Sequence, residues 1–169
     1  MKKDTIRLIL FTDCKLSCAY CCNKKKAYFS QFVPMQRSEV DFSKYEAVCL
    51  TGGEPFLKPD LVFYYLDLIS SDTRVYLYTT GLLITEEHLH KLSGYPNLKC
   101  VNVGLHYKNQ IKSIHPDLEW ELPVRFMLED TTAQEFIQAS EGRLKESNTK
   151  QWVRDVCDLP NEDWVILKE

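Results

Sequence analysis

Short β-branched apolar runs alternate along the chain with stretches whose apolar residues recur every three or four positions. The runs are Thr5–Thr12 (TIRLILFT), Glu46–Thr51 (EAVCLT), Arg74–Thr80 (RVYLYTT), Lys99–His106 (KCVNVGLH), Pro123–Leu128 and Asp163–Lys168 (DWVILK). Such runs, bounded by Gly, Pro or polar clusters, predict buried strands. Between them, Pro59 and Asp60 open a helix with Leu61, Tyr65, Leu68 and Ile69 on one face. Thr85 suits the N-cap of a second helix, Glu86 and Glu87 suit the positive end of its dipole, and Gly94 suits its C-cap. Thr132-Ala133-Gln134-Glu135 fits a capping box, with Ala133, Phe136, Ile137, Ser140 and Leu144 on the inner face that follows. Ser38–Lys44 reads as either a short helix or an irregular connection, and Asn109–Glu121 has no clean period.

Strands alternating with helices indicate parallel βα units. A closed eight-stranded barrel takes about 250 residues, roughly 31 per unit. A chain of 169 residues is too short for that. The expectation is an α/β fold: an open partial (β/α) barrel of about five to six βα units, in effect an incomplete TIM barrel, forming a single domain over residues 1–169. In such sheets chemistry belongs at the C-terminal ends of the strands. The loop starting at Cys14 follows the first strand, Gly52-Gly53-Glu54-Pro55 follows the second, and His106 ends the fourth. All three fall at that one edge.

Composition narrows the setting. The chain is 44% hydrophobic and 27% charged, as an ordinary soluble protein is, and a net charge of −3 gives no electrostatic footprint for nucleic acid. Met1-Lys2-Lys3-Asp4 resembles the start of a signal peptide, but the apolar run after it is short and lacks a small-residue cleavage site. No run approaches the roughly 18 apolar residues of a membrane span. The expected location is cytoplasmic, with no membrane partner. Seven cysteines in that setting point to metal or redox ligands where they cluster, and to small buried hydrophobes where they are scattered.

They cluster in Cys14-Lys15-Leu16-Ser17-Cys18-Ala19-Tyr20-Cys21. One loop with this spacing wraps three thiolates around a single inorganic centre. Cubane Fe–S clusters are usually held by four cysteines. Three leave one metal position open, which is what separates a catalytic site from a structural one. Zinc is the competing metal, but its usual second C-x-x-C pair is missing: Cys49, Cys100 and Cys157 stand alone, and Cys22 adjoins Cys21, whose side chain diverges from it. Gly52 and Gly53 permit positive φ and close backbone approach to a ligand, and Glu54 offers a carboxylate to a ligand ammonium. In isolation that segment is more often a plain turn. For His106, a ribose or substrate contact and a structural role weigh equally. Arg125 lies on the fifth predicted strand, where a basic residue is rarely buried without a partner; a cofactor or substrate carboxylate and an internal salt bridge are equally good partners. Lys24–Lys26 reads better as a solvated loop than as a docking site for an acidic electron donor.

Taken together, the cysteine spacing with Tyr20 before the last cysteine, and Gly-Gly-Glu-Pro at the next strand end, resemble the radical S-adenosylmethionine (radical SAM) superfamily. The resemblance runs from the first strand to the third. It implies that Cys14, Cys18 and Cys21 ligate a 4Fe–4S cluster whose fourth iron is chelated by S-adenosylmethionine. It implies also that Tyr20 lies against the adenine and that Gly52, Gly53 and Glu54 bind the methionine ammonium. Thr79-Thr80-Gly81 stands where the family has Thr-Asn-Gly, and Thr80 keeps a hydroxyl for the ligand. The implied chemistry is reductive cleavage of S-adenosylmethionine to a 5′-deoxyadenosyl radical that abstracts hydrogen from a small-molecule or nucleobase-type substrate. A one-electron donor such as a flavodoxin or ferredoxin is implied as partner. Oxidoreductase, lyase and isomerase outcomes all stay open. A glycyl-radical activating-type enzyme acting on a partner protein is a second reading, and a non-catalytic zinc- or cluster-binding scaffold a third. The open side of a short barrel suggests a macromolecular substrate or a partner subunit.

Overall fold

The computed structural model describes residues 3–16, 32–128, 133–151 and 161–168. Its frame is one eight-stranded sheet, all of whose pairings are parallel: β1 (Lys3–Ile9), β2 (Val33–Met35), β3 (Tyr45–Thr51), β4 (Arg74–Thr79), β5 (Leu98–Gly104), β6 (Val124–Leu128), β7 (Thr149–Gln151) and β8 (Glu162–Leu167). The spatial order is β2-β8-β1-β3-β4-β5-β6-β7, with β2 and β7 as edges, so the sheet is open. The helices are α1 (Pro59–Leu68), α2 (Glu86–Ser93), α3 (Leu118–Glu121) and α4 (Ala133–Ala139).

Alternation along the strands divides the sheet into two faces. Ile6, Leu8, Val48, Leu50, Val75, Leu77, Val101, Val103, Phe126 and Val165 join Val62, Leu66, Leu89, Leu92 and Phe136 of the helices in one apolar core. Burying each such side chain contributes about 1.5–3 kcal/mol. The intervening residues, among them Arg7, Cys49, Tyr78, Asn102, Arg125 and Trp164, occupy the opposite, inner face of the partial barrel. The inner face is polar and aromatic.

All six expected strands are present. Two further ones, β2 and β7, are not legible in the sequence: each is three residues long, β2 contains Pro34 inside what the sequence presents as loop, and β7 (TKQ) is wholly polar. Both are edge strands, where one side of the ladder needs no partner. Ser38–Lys44 resolves into parts of two 3-10 turns, Arg37–Glu39 and Phe42–Lys44. The aperiodic Asn109–Glu121 holds a 3-10 turn, Gln110–Ser113, followed by α3. The expected inner face of α1 is corrected in part: Leu68 is exposed, whereas Val62, Phe63, Tyr65, Leu66 and Ile69 are buried. On α4, Ile137 is likewise exposed, while Phe136 and, beyond the helix, Ser140 and Leu144 are buried. Thr85 caps α2 by accepting from the His88 N–H, and Gly94 ends that helix in the right-handed region, φ −75°. Thr132, of the expected capping box, lies outside the described residues.

Candidate active site

The C-terminal edge of the sheet carries the site, and its first feature is how the cysteine loop is fastened there. Past the end of β1 the backbone keeps pairing with the β3 end: the Leu10 N–H donates to Thr51 O (2.9 Å), the Gly53 N–H to Phe11 O (2.8 Å), and the Glu54 N–H to Asp13 O (2.8 Å). This explains both glycines. A Cβ on Gly53 would lie 1.7 Å from the Asp13 carbonyl oxygen, and one on Gly52, at φ +154°, would lie 2.6 Å from that of Phe11. The close backbone approach expected there is therefore made by the cysteine loop itself. Cys14 follows directly, half-buried, and its sulfur accepts the Leu16 N–H at 3.4 Å. Cys18, Tyr20, Cys21, Cys22 and Lys24–Lys26 lie outside the described residues, as does Cys157. Cys14 is thus the only motif cysteine among the described residues, which hold no cluster of three metal-ligating side chains.

Glu54 supplies the second feature. Its side chain is buried at the junction of the β3 and β4 ends. One carboxylate oxygen, Oε1, accepts from Thr79 Oγ1 (2.7 Å) and the Phe56 N–H (3.0 Å). The other, Oε2, accepts from the Thr80 N–H (2.7 Å) and Thr80 Oγ1 (2.6 Å). Four donors fill the roughly four lone-pair positions that a carboxylate has. Thr80 therefore spends both its hydroxyl and its N–H on Glu54.

The third feature, which no sequence pattern signals, is Gln110. It is fully buried. Its Nε2 donates to Thr80 O and Gly104 O, both at 2.8 Å, and its Oε1 accepts the His106 N–H at 2.7 Å. One side chain thus clips the ends of β4 and β5 together and fixes the backbone of His106. The imidazole folds back over the strand end: its Nε2 would be 3.0 Å from a Cβ on Gly104. Burial holds the His106 pKa below the usual histidine value, against the opposing pull of the Glu54 charge. The imidazole is neutral at pH 7. A lone Gln in an aperiodic stretch carries no mark of such a role.

Below this edge, the inner face carries a line of interacting side chains. Arg7 Nε pairs with Glu162 Oε1 at 2.9 Å, with the Glu162 side chain only 3% exposed. The guanidinium lies over the rings of Tyr78 (5.2 Å) and Trp164 (5.7 Å). Nearby, burial pushes the Cys49 thiol up to about 11 despite the charge of Arg7, so it remains a thiol at neutral pH. The rule that singles out Arg125 in sequence, a cation within an apolar strand, applies equally to Arg7 and would have found it. On adjacent strands, Tyr78 (β4), Asn102 (β5) and Arg125 (β6) stand in direct register. Arg125 is half-buried, and no carboxylate among the described residues pairs with it.

An open parallel α/β sheet, with a thiol-bearing loop docked on a Gly-Gly-Glu turn at its C-terminal edge, defines a partial-barrel protein whose chemistry sits at the mouth. A family model, the radical SAM superfamily, matches residues 8–127. The match covers more than half of the chain, and the chain belongs to the radical SAM superfamily, whose members bind a 4Fe–4S cluster and S-adenosylmethionine. The described part of the donor set fits that group: a soft cysteine sulfur on a loop held by backbone hydrogen bonds, with an N–H directed at it. No curated protein matches the sequence. Among solved structures, the chain is similar to native anSMEcpe with bound AdoMet and Cp18Cys peptide, at 15% identity and TM-score 0.54, over 89% of this chain and 50% of that one. It is also similar to BtrN in complex with AdoMet and 2-DOIA, at 20% identity and TM-score 0.48, over 75% of this chain and 57% of that one. The chain thus spans about half the length of the structures it matches. No described helix is long and apolar enough to cross a membrane.

Proposed function

We propose that the protein is a radical SAM enzyme in which Cys14, Cys18 and Cys21 hold three irons of a 4Fe–4S cluster and S-adenosylmethionine takes the fourth. The observation that carries this reading is the docking of the Cys14 loop onto Gly53 and Glu54 at the C-terminal sheet edge. When bound, the cluster and S-adenosylmethionine supply reductive cleavage of the sulfonium and hydrogen-atom abstraction from a substrate.

The chain's own residues have distinct parts in this scheme. Tyr20, outside the described residues, would be the residue to meet the adenine, as the family resemblance implies. The N–H groups of Gly53 and Glu54 are committed to the cysteine loop and the Glu54 carboxylate to Thr79, Thr80 and Phe56. With the carboxylate so committed, the backbone carbonyls of Gly52 and Gly53 would be the acceptors for the methionine ammonium, with Glu54 giving the turn its negative charge. Thr80 is a positioning residue for Glu54. The neutral His106, held over the strand end, is the side chain placed to meet the ribose or the substrate. A flavodoxin- or ferredoxin-type donor delivers the electron.

The test is anaerobic reconstitution with iron and sulfide, then reduction with S-adenosylmethionine present. The expected result is a brown protein, a reduced-cluster EPR signal altered by S-adenosylmethionine, and formation of 5′-deoxyadenosine. Cys14→Ala removes all three. Gly53→Ala, which drives a Cβ into the Asp13 carbonyl, lowers iron content and weakens the fold by about 3 kcal/mol, at the upper end for a point substitution. A colourless protein holding one zinc, unchanged by reconstitution, would refute the reading in favour of a metal scaffold.

A further inference from the structure

We infer that Arg125 and Asn102 form an anchor for an oxyanion of the substrate, a carboxylate or phosphate, on the inner face of the barrel; the assignment to the substrate rests on the radical SAM reading. Asn102 is 2% exposed, yet its amide nitrogen Nδ2 has no hydrogen-bond partner among the described residues. A buried N–H left unpaired is costly, and a ligand oxygen that accepts from it removes that cost. The Asn102 Oδ1 accepts from Cys100 Sγ at 3.8 Å, which leaves the amide N–H group as the unused part. Its in-register neighbour Arg125 carries donors only, and no described carboxylate pairs with it. These two groups face the same side of adjacent strands, where a planar guanidinium fork and an amide suit a two-oxygen acceptor.

The surroundings agree. Lys150 on β7, opposite Met127, adds a second positive charge, and Arg125 and Lys150 both act on the Cys100 thiol, opposing the rise that burial imposes on it. Neither Lys150 nor Arg125 has an acidic partner among the described residues. Tyr78 continues the register on the other side of Asn102, giving the anchor an aromatic wall. The anchor lies on the inward-facing row of side chains just below the level of Thr80 and Gly104, beneath the mouth where Cys14 and Glu54 sit. A substrate held there by its anionic end has its remaining atoms directed toward that mouth.

The test uses the cluster-reconstituted full chain, with inorganic phosphate and acetate as probes and thermal shift and 31P line broadening as readouts. At least one probe is expected to bind. Arg125→Met weakens that binding about tenfold or more, the factor expected for a lost charge-assisted pair. Arg125→Lys weakens it less, and Asn102→Ala several-fold. Asn102→Asp places a carboxylate in register with Arg125; it abolishes anion binding and raises Tm in anion-free buffer. In all four variants the change that S-adenosylmethionine makes in the cluster EPR signal persists. Three results overturn the anchor: no anion binding by wild type, equal binding by Arg125→Met, or loss of the S-adenosylmethionine response in Arg125→Met, which would assign the arginine to the cofactor carboxylate. Failure of the radical SAM reading is distinguishable, because it appears as absent 5′-deoxyadenosine in the wild type whatever the anion data.

Discussion

Two arginines on one face of one sheet have opposite circumstances. Arg7 has a buried carboxylate, Glu162, at 2.9 Å and two aromatic rings beside its guanidinium. Arg125 has neither an acidic partner nor a ring stacked on it among the described residues, and its in-register neighbour Asn102 has an unused N–H. Burying a charge is costly unless it is paired and hydrogen-bonded. Arg7 meets that condition within the chain and so belongs to the scaffold, joining β1 to β8. Arg125 does not, and an unmet condition in a half-open barrel is what a recognition site looks like. The same contrast separates Glu54, whose four donors leave no acceptor position free, from Asn102. Satisfied groups hold the mouth in shape; the unused Asn102 N–H is open to a ligand, whereas Glu162 Oε2, also without a hydrogen-bond partner among the described residues, belongs to the carboxylate that Arg7 pairs.

The sharpest way to break the comparison is to remove each cation in turn. Arg7→Met strands Glu162 in the interior and is expected to destabilise by about 3–5 kcal/mol, as breaking a buried pair does. Arg125→Met is expected to stay within about 0.5 kcal/mol of wild type, as a substitution that breaks no internal pair does. Urea denaturation of both variants measures the difference. Equal losses would mean that Arg125 has an internal partner after all.

A smaller effect is expected from pH. His106 has a folded pKa below its unfolded value because burial disfavours the imidazolium. Below the usual value near 6.5 the unfolded chain therefore binds the extra proton first. Its contribution to stability is full above that pH and is lost as pH falls through the depressed folded pKa. His106→Gln should remove this part of the acid-side slope of stability against pH. An unchanged slope in that variant would show that the imidazole is not buried in neutral form.

The smallest effect tests whether an unpartnered buried group is by itself a mark of function. The Tyr65 hydroxyl is also buried without a hydrogen-bond partner among the described residues, but it lies on α1, with its ring edge-on to Phe42 at 5.9 Å and the core around it. Tyr65→Phe is expected to be neutral or to stabilise by up to about 1 kcal/mol, read as a rise in Tm, with anion binding and 5′-deoxyadenosine formation unchanged. Asn102→Ala, by contrast, is expected to reduce anion binding. If both variants behave alike, the distinction between orphaned core groups and ligand-facing ones fails.

Much of this architecture is legible in the amino-acid sequence. Six strands announce themselves because apolar β-branched runs bounded by Gly and Pro have few other uses. Three cysteines and Gly-Gly-Glu-Pro at successive strand ends identify the edge where chemistry belongs, because in parallel βα units all strand ends point the same way. Gly52 and Gly53 are legible as sites of close backbone approach, but not what approaches: the partner, Asp13 of the cysteine loop, is some forty positions away. Gln110 gives no sign of its role, since its three hydrogen bonds gather groups from the ends of two strands and from His106 just past the second. The short strands β2 and β7 escape notice because three residues carry too little pattern to register.

By itself, then, the sequence determined the local elements, the parallel order of βα units and the spacing of the cysteines proposed as ligands, because these depend on residues near one another in the chain. Tertiary structure decided which charges are paired. Strand β8 returns to lie against β1 and brings Glu162 to Arg7 across 155 positions, an encounter no local pattern encodes. The same sheet order leaves β6 between β5 and the edge strand β7, where no described acid reaches Arg125. Pairing depends on which strands become neighbours, and burial decides the cost of being left out.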